Sequence, residues 1–218
     1  KYFRSGFDFL DLKERRMPAP ARIAVIGAGP IGLEAALFAR QSGYETTVYE
    51  RGGIAENILN WGHVQLFSPF GFNASPWGCD LLKSKGASLP GDEEFLTGRE
   101  FAERYLIPLA EHPQLKACIR IQTEVQAISR LGQLKSDHIG QLARGGVPFQ
   151  LLLATHEGEE TAQADYVLDC SGTYPNHNWA GVGGMPCPGE QTFLSEQNYR
   201  LPDILGQDRE RFANRLVL

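Results

Sequence analysis

Residues 22–50 read RIAVIGAGPIGLEAALFARQSGYETTVYE, and the reading of this stretch decides the fold. Arg22 to Ile26 is a short apolar run of the kind that forms a buried parallel strand. Gly27-Ala28-Gly29-Pro30-Ile31-Gly32 follows as a G-x-G-x-x-G turn. Leu33, Ala36 and Leu37 then recur at helical spacing, and Gly43 fits a helix stop. Glu45 to Glu50 is a second strand, rich in β-branched and aromatic residues. Strand, glycine turn, helix and strand in that order make the glycine pattern informative, where alone it would be weak.

Each glycine has its own physical reason. Gly27 permits a tight turn, Gly29 lets the backbone approach a pyrophosphate, and Gly32 lets helix and strand pack closely. Free N–H groups at the helix start, with the positive end of the helix dipole, receive phosphate. Glu50 stands at the end of the second strand, with residues 33 to 49 between it and Gly32. There its carboxylate can accept hydrogen bonds from ribose hydroxyls, and it argues against a 2′-phosphate, hence against NADP at this site. Arg51 either pairs with the adenosine moiety or is a solvated surface residue. The turn itself does not separate FAD from NAD. Its place at the start of the domain and the strand Asp165 to Gly172, DYVLDCSG, favour FAD.

Two motifs carry a resemblance. VIGAGPIGLEAA with Glu50, and ADYVLDCSGTY, resemble the FAD-dependent oxidoreductases with two dinucleotide-binding domains, the group that includes flavin-containing monooxygenases and thioredoxin reductase. The family's Ala-Thr-Gly strand end stands here as Cys170-Ser171-Gly172. The resemblance implies that this turn lies close to the FAD, and that Val125, in TEVQAIS, matches the strand whose backbone meets the adenine. It implies an α/β fold, a Rossmann-like doubly wound FAD-binding domain with an appended β-meander. It also implies NAD(P)H as co-substrate of a longer parent enzyme. WGHVQLFSP (61–69) and YLIPLA (105–110) resemble a bacterial branch of uncharacterised FAD-dependent oxidoreductases. The redox cysteine pair of the disulfide reductases is absent, since Cys79 stands alone after the first acid. The Phe-x-Gly-x-x-x-His monooxygenase fingerprint is absent between Gly172 and Leu218, which weighs against a typical flavin-containing or Baeyer–Villiger monooxygenase.

The rest of the chain sets the frame. Its 218 residues carry a net charge of −5, which argues against nucleic-acid or anionic-membrane surfaces, and the expected partner is a small-molecule substrate of unknown identity. No apolar run approaches the roughly 20 residues that span a bilayer. The four cysteines form no C-x-x-C pair and no zinc-spaced cluster, so no metal is expected, and they read as reduced thiols of a cytoplasmic protein. Residues 1–16 read as an N-terminal extension, 17–175 as the FAD-binding domain, and 176–218 as a linker toward an absent NAD(P)H-binding domain. Arg215 to Leu218 looks like the opening of a further strand.

Between these landmarks, residues 51–80 read as an irregular but packed loop. Trp61, Phe67 and Phe70 are candidates to stack near the flavin or to fill the core; Gln65 and Ser68 are candidates for polar contacts with the flavin, and His63 either contacts cofactor or substrate, serves as a proton donor, or is a structural histidine. Thr97 and Glu100 match a capping box opening a helix that Pro108 should kink or end. Strands are expected at 117–121, 124–129, 149–155 and 164–170, with His156 to Glu160 as a polar turn and a charged helix at 208–214. No catalytic base is identifiable and the oligomeric state is open. Two other functional classes stay open: a truncated, non-catalytic FAD- or nucleotide-binding fragment, and an NAD-binding dehydrogenase domain.

Overall fold

Val25 and Ala24 are neighbours in the first strand, yet they face opposite layers of the protein, and that alternation organises the whole fold. The structure, a computed structural model, describes residues 20–193 and 199–216. The expected extension 1–16 lies outside the described residues. Strand β1 (Arg22–Ile26) runs between β2 (Glu45–Tyr49) and β7 (Tyr166–Asp169), and β3 (Ile119–Arg120) lies beyond β2. All pairings in this sheet are parallel, in the order β3-β2-β1-β7, with Val25 opposite Val48 and Leu168. A parallel sheet needs cover on both faces, which is why β1 reads as a continuous apolar run from Ile23 to Ile26.

On one face Val25 and Val48 meet helices. Helix α1 (Pro30–Gln41) buries Leu33, Ala36 and Leu37 against them. Pro30 sits in its first turn, where a missing N–H costs nothing. At its other end Gly43 takes φ +84°, and its N–H donates to Arg40 O, closing the helix. On the other face Ala24 and Tyr49 pack against Leu151 and Leu153 of β5 (Phe149–Thr155). That strand is the centre of an antiparallel meander, β4 (Glu124–Arg130), β5 and β6 (Gly158–Ala164). The α/β Rossmann-like fold with a β-meander is as the sequence predicts.

Several local expectations need correction. Residues 51–80 are not irregular throughout. They hold α2 (Glu56–Asn60), α3 (Phe70–Asn73) and the start of α4 (Pro76–Lys83). Ser75 caps α4 by accepting the Gly78 N–H at 2.9 Å, with Pro76 in the first turn. The polar turn His156–Glu160 is shorter than expected, because Glu159 and Glu160 already belong to β6. The last strand begins at Tyr166, not Ala164. The capping box is present: Thr97 Oγ1 accepts from Glu100 N at 3.2 Å, and Glu100 Oε2 from Thr97 N at 2.8 Å. It opens α5 (Gly98–Phe101), and Pro108 does not end the helical run. The chain winds through a π turn at Ala102–Leu106 into α6 (Ile107–Glu111), with the Ile107 N–H donating to Ala102 O. Widening that turn gives the proline ring room at the carbonyl four residues back. Short α7 (Pro113–Lys116), α8 (Glu190–Phe193) and α9 (Arg209–Phe212) complete the named helices. Arg215 and Leu216 form no strand, and the rest of that expected strand lies outside the described residues.

Candidate functional site

The chain leaves β1 for β2 and β3 on one side and returns as β7 on the other, so the order reverses at β1. In open α/β sheets ligands bind outside the carboxyl ends of the strands at such a point. Both sequence motifs converge there: the glycine turn leaves β1 and Cys170-Ser171-Gly172 leaves β7.

The three glycines are held by different contacts. Gly27 has φ +97°, and a Cβ on it would lie 2.8 Å from Cys170 O, so the two turns touch through backbone alone. A Cβ on Gly32 would lie 1.9 Å from Gly27 O, so Gly32 is needed by the turn itself. A Cβ on Gly29 would meet nothing within 4 Å. Gly29 is the N-cap of α1 and opens onto a cleft, with no acidic residue in the first turn to neutralise the helix dipole. A cradle that only a ligand would fill, at the positive end of a 12-residue helix, suits a diphosphate.

Glu50 does more than face the cleft. Its Oε2 accepts the Ala28 N–H and its Oε1 the Gly52 N–H, both at 2.7 Å. The carboxylate therefore ties the glycine turn to the segment after β2. Each oxygen keeps a further lone pair for a ribose hydroxyl. Arg51 reaches across to Glu124, with Nη1 3.7 Å from Oε1. Val125 lies in β4, an edge strand, just before a bulge that leaves Gln126 unpaired.

The cleft has two joined halves. One, of about 380 Å³, lies between Glu50, the Thr123–Ile128 segment and Asp169. The other, of about 300 Å³, lies between the glycine turn, Trp61 and the Cys170–Tyr174 segment. Gly27, Gly29, Pro30, Ile31, Glu50, Arg51, Val125, Cys170, Ser171 and Gly172 line one or both. Ala28 and Gly32 are buried just beneath. His63 is exposed and is not among the lining residues, so the structure does not bring it to the cleft. Of the loop aromatics, Trp61 lines the second half, Phe70 is buried in the core against Phe101 and Tyr105, and Phe67 is 96 % exposed. Gln65 bridges to Thr97, and Ser68 donates to Asn73 Oδ1.

Asp169, Asn57, Asn176 and Tyr174 line the cleft and were not singled out from sequence. Asp169 stands inside DYVLDCSG, so a signal existed. Asn57 lies on a five-residue helix without a motif. The Ser171 hydroxyl and N–H, both donated to Asp169 Oδ1, hold that carboxyl below its usual range. Burial, and then the Asp169 charge, push the Cys170 thiol up, which keeps it a thiol at neutral pH and makes it a poor nucleophile. All four cysteines are free. Among the described residues no cluster of three or more His, Cys, Asp or Glu could hold a metal, and no helix is long and apolar enough to cross a membrane.

Fold and cleft together define a dinucleotide-binding protein of the Rossmann type. The family described as pyridine nucleotide-disulphide oxidoreductase matches residues 24–137, and the chain belongs to it. It is 24 % identical to flavin-containing monooxygenase FMO GS-OX-like 2 of Arabidopsis thaliana, over 83 % of this chain and 42 % of that protein. It is 27 % identical to putative flavin-containing monooxygenase FMO GS-OX-like 10 of the same plant, with the same coverage. The chain thus spans about 42 % of the length of the curated relatives it matches. Among solved structures, bacillithiol disulfide reductase Bdr (YpdA) from Bacillus cereus shares the fold, with a TM-score of 0.56 at 21 % identity over 76 % of this chain and 44 % of that one. So does OTEMO in complex with FAD and NADP, with a TM-score of 0.52 at 17 % identity over 75 % of this chain and 27 % of that one.

Proposed function

We propose that this chain is the FAD-binding part of an NAD(P)H-dependent flavoprotein oxidoreductase whose whole-protein activity is monooxygenation. The observation that carries the reading is the two-part cleft at the strand-order reversal, open over Gly29 and flanked by Glu50. A dinucleotide has that bipartite shape. The Glu50 and Val125 half suits adenosine, and the half walled by Ile31, Trp61 and Tyr174 suits the isoalloxazine. The names of the curated relatives favour flavin over a bound NAD and favour monooxygenation over disulfide reduction. When bound, the flavin supplies hydride and electron transfer. The chain's own residues cradle the phosphates at α1, accept ribose hydroxyls at Glu50 and exclude water around the ring.

The acidic balance favours a small-molecule substrate over nucleic acid or a membrane. Four free thiols favour a cytoplasmic setting. A second reading, in which this stretch holds the cofactor without turning over by itself, is favoured by the 42 % of its relatives' length that it spans. The test is the visible absorbance of the purified chain before and after adding FAD, beside Gly29→Ala. Flavin bands that the wild type retains and the variant loses support the proposal. A folded wild type that takes up no flavin overturns it. NADPH oxidation by the loaded chain then separates an active domain from a cofactor-holding one.

A further inference from the structure

The two halves of the cleft share Gly27, Glu50, Arg51, Asn57, Ser171 and Gly172, and these form its waist. Two of the six are glycines. Of the four side chains, three are already engaged. Glu50 takes the Ala28 and Gly52 N–H groups. Arg51 pairs with Glu124. The Ser171 hydroxyl donates to Asp169. Asn57 is half-buried, and its amide makes no hydrogen bond to protein among the described residues. An amide that lines the cleft with two donors and an acceptor uncommitted to protein can serve a ligand there without breaking any bond of the fold.

The backbone beneath Asn57 is fixed at some cost. Ala55, buried and with φ +56°, starts α2 in the left-handed region that disfavours a side chain. Its N–H donates to Ala28 O at 3.1 Å, fastening α2 to the glycine turn. Strain of this kind persists where the surroundings enforce it, and it clusters at binding sites. The result places Asn57 at the waist, with Gly29 lining the adjoining half of the cleft.

We propose that Asn57 grips the bridging diphosphate of the bound dinucleotide, donating Nδ2–H to a phosphate oxygen from the wall formed by α2. This rests on the dinucleotide reading above. The diphosphate is what lies at the waist when the two ends of a dinucleotide fill the two halves. An amide donor to a charged oxygen is a charge-assisted bond. Its uncharged head also leaves the Arg51–Glu124 pair undisturbed.

The experiment titrates FAD and, separately, ADP into the wild-type chain, Asn57→Ala and Asn57→Asp, and melts each protein without ligand. The aspartate is the same size but turns the donor into a second negative charge. Expected are FAD and ADP affinities about 10-fold weaker for the alanine and roughly 100-fold weaker for the aspartate. Ligand-free melting temperatures should stay within about 2 °C of wild type, because no protein bond is lost. The proposal is overturned if Asn57→Ala binds FAD and ADP within threefold of wild type, or if the variants lose folding stability in step with affinity. A wild type that binds ADP but not FAD, with the same order among variants, removes the flavin reading and keeps the diphosphate grip. A wild type that binds neither removes both.

Discussion

Replacing Gly32 by alanine should damage the fold, while replacing Gly29 by alanine should damage chiefly ligand binding. A Cβ at Gly32 would sit 1.9 Å from Gly27 O, about 1.5 Å short of ordinary contact, and 2.9 Å from Gly27 C. Neither atom can swing aside, because both are backbone, and the next neighbour of that Cβ is Cys170 Cβ at 3.6 Å. Overpacking of this kind costs about 3 kcal/mol, of which about 1 is returned by the better helix propensity of alanine. A net loss of roughly 2 kcal/mol in a chain of this size lowers the melting temperature by about 4–8 °C. At Gly29 no atom lies within 4 Å, and φ is an unstrained −83°. The fold there loses at most about 1 kcal/mol, from a poorer N-cap. The methyl group instead fills the cradle over the start of α1. The assay is a thermal melt by circular dichroism without ligand, paired with an FAD titration. Gly32→Ala melting within 1 °C of wild type would refute the packing argument. Gly29→Ala binding FAD with wild-type affinity would refute the cradle.

Other substitutions probe the contacts around this turn. Glu50→Gln keeps one acceptor but sets an NH₂ group against a backbone N–H, so the ligand-free protein should lose about 2 kcal/mol in urea unfolding; an unchanged midpoint would show that the two bonds are not stabilising. Asp165 accepts from the Arg22 side chain and N–H, and these bonds hold its carboxyl below the usual range. A depressed folded value means stability that is present above the unfolded value, near 3.9, and lost as pH falls through the folded one. Asp165→Asn should therefore melt about 2–4 °C below wild type at pH 7, allowing for a partly solvated pair, and the gap should close below about pH 4. A gap independent of pH would rule that out. Tyr105→Phe leaves the Ser75 N–H without its acceptor at 3.2 Å and should cost about 1 kcal/mol in the same melts, with the stacking on Phe101 unchanged.

The elements most legible in the sequence were those whose burial writes a pattern. Residues 23–26 of RIAVI are apolar because β1 is covered on both faces, and the Thr97–Glu100 box is a local device that needs no tertiary context. Strand β6 hides because it is a polar edge strand, held by its ladder to β5 rather than by its own side chains, only Ala164 being buried. Helix α4 was legible after all in Ser75-Pro76, a cap followed by a first-turn proline, but the glycine and asparagine content around it masked the signal. At the site, residues within the two motifs could be found because their spacing is set by one βαβ unit. Asn57 and Asn176 reach the same cleft from segments whose positions depend on the packing of the whole molecule. His63 drew attention through its residue type and its aromatic neighbours, and neither reports which way a loop faces.

The double grip of Glu50 on Ala28 and Gly52 bears on how such sequences drift. A copy that no longer needs its cofactor would still be selected to keep this acid, since losing it loosens the first βαβ unit. The glycine opposite an empty cradle has no such protection. In a lineage abandoning the chemistry, Gly29 should be the first motif position to vary, with Glu50 and Gly32 persisting as relics of architecture.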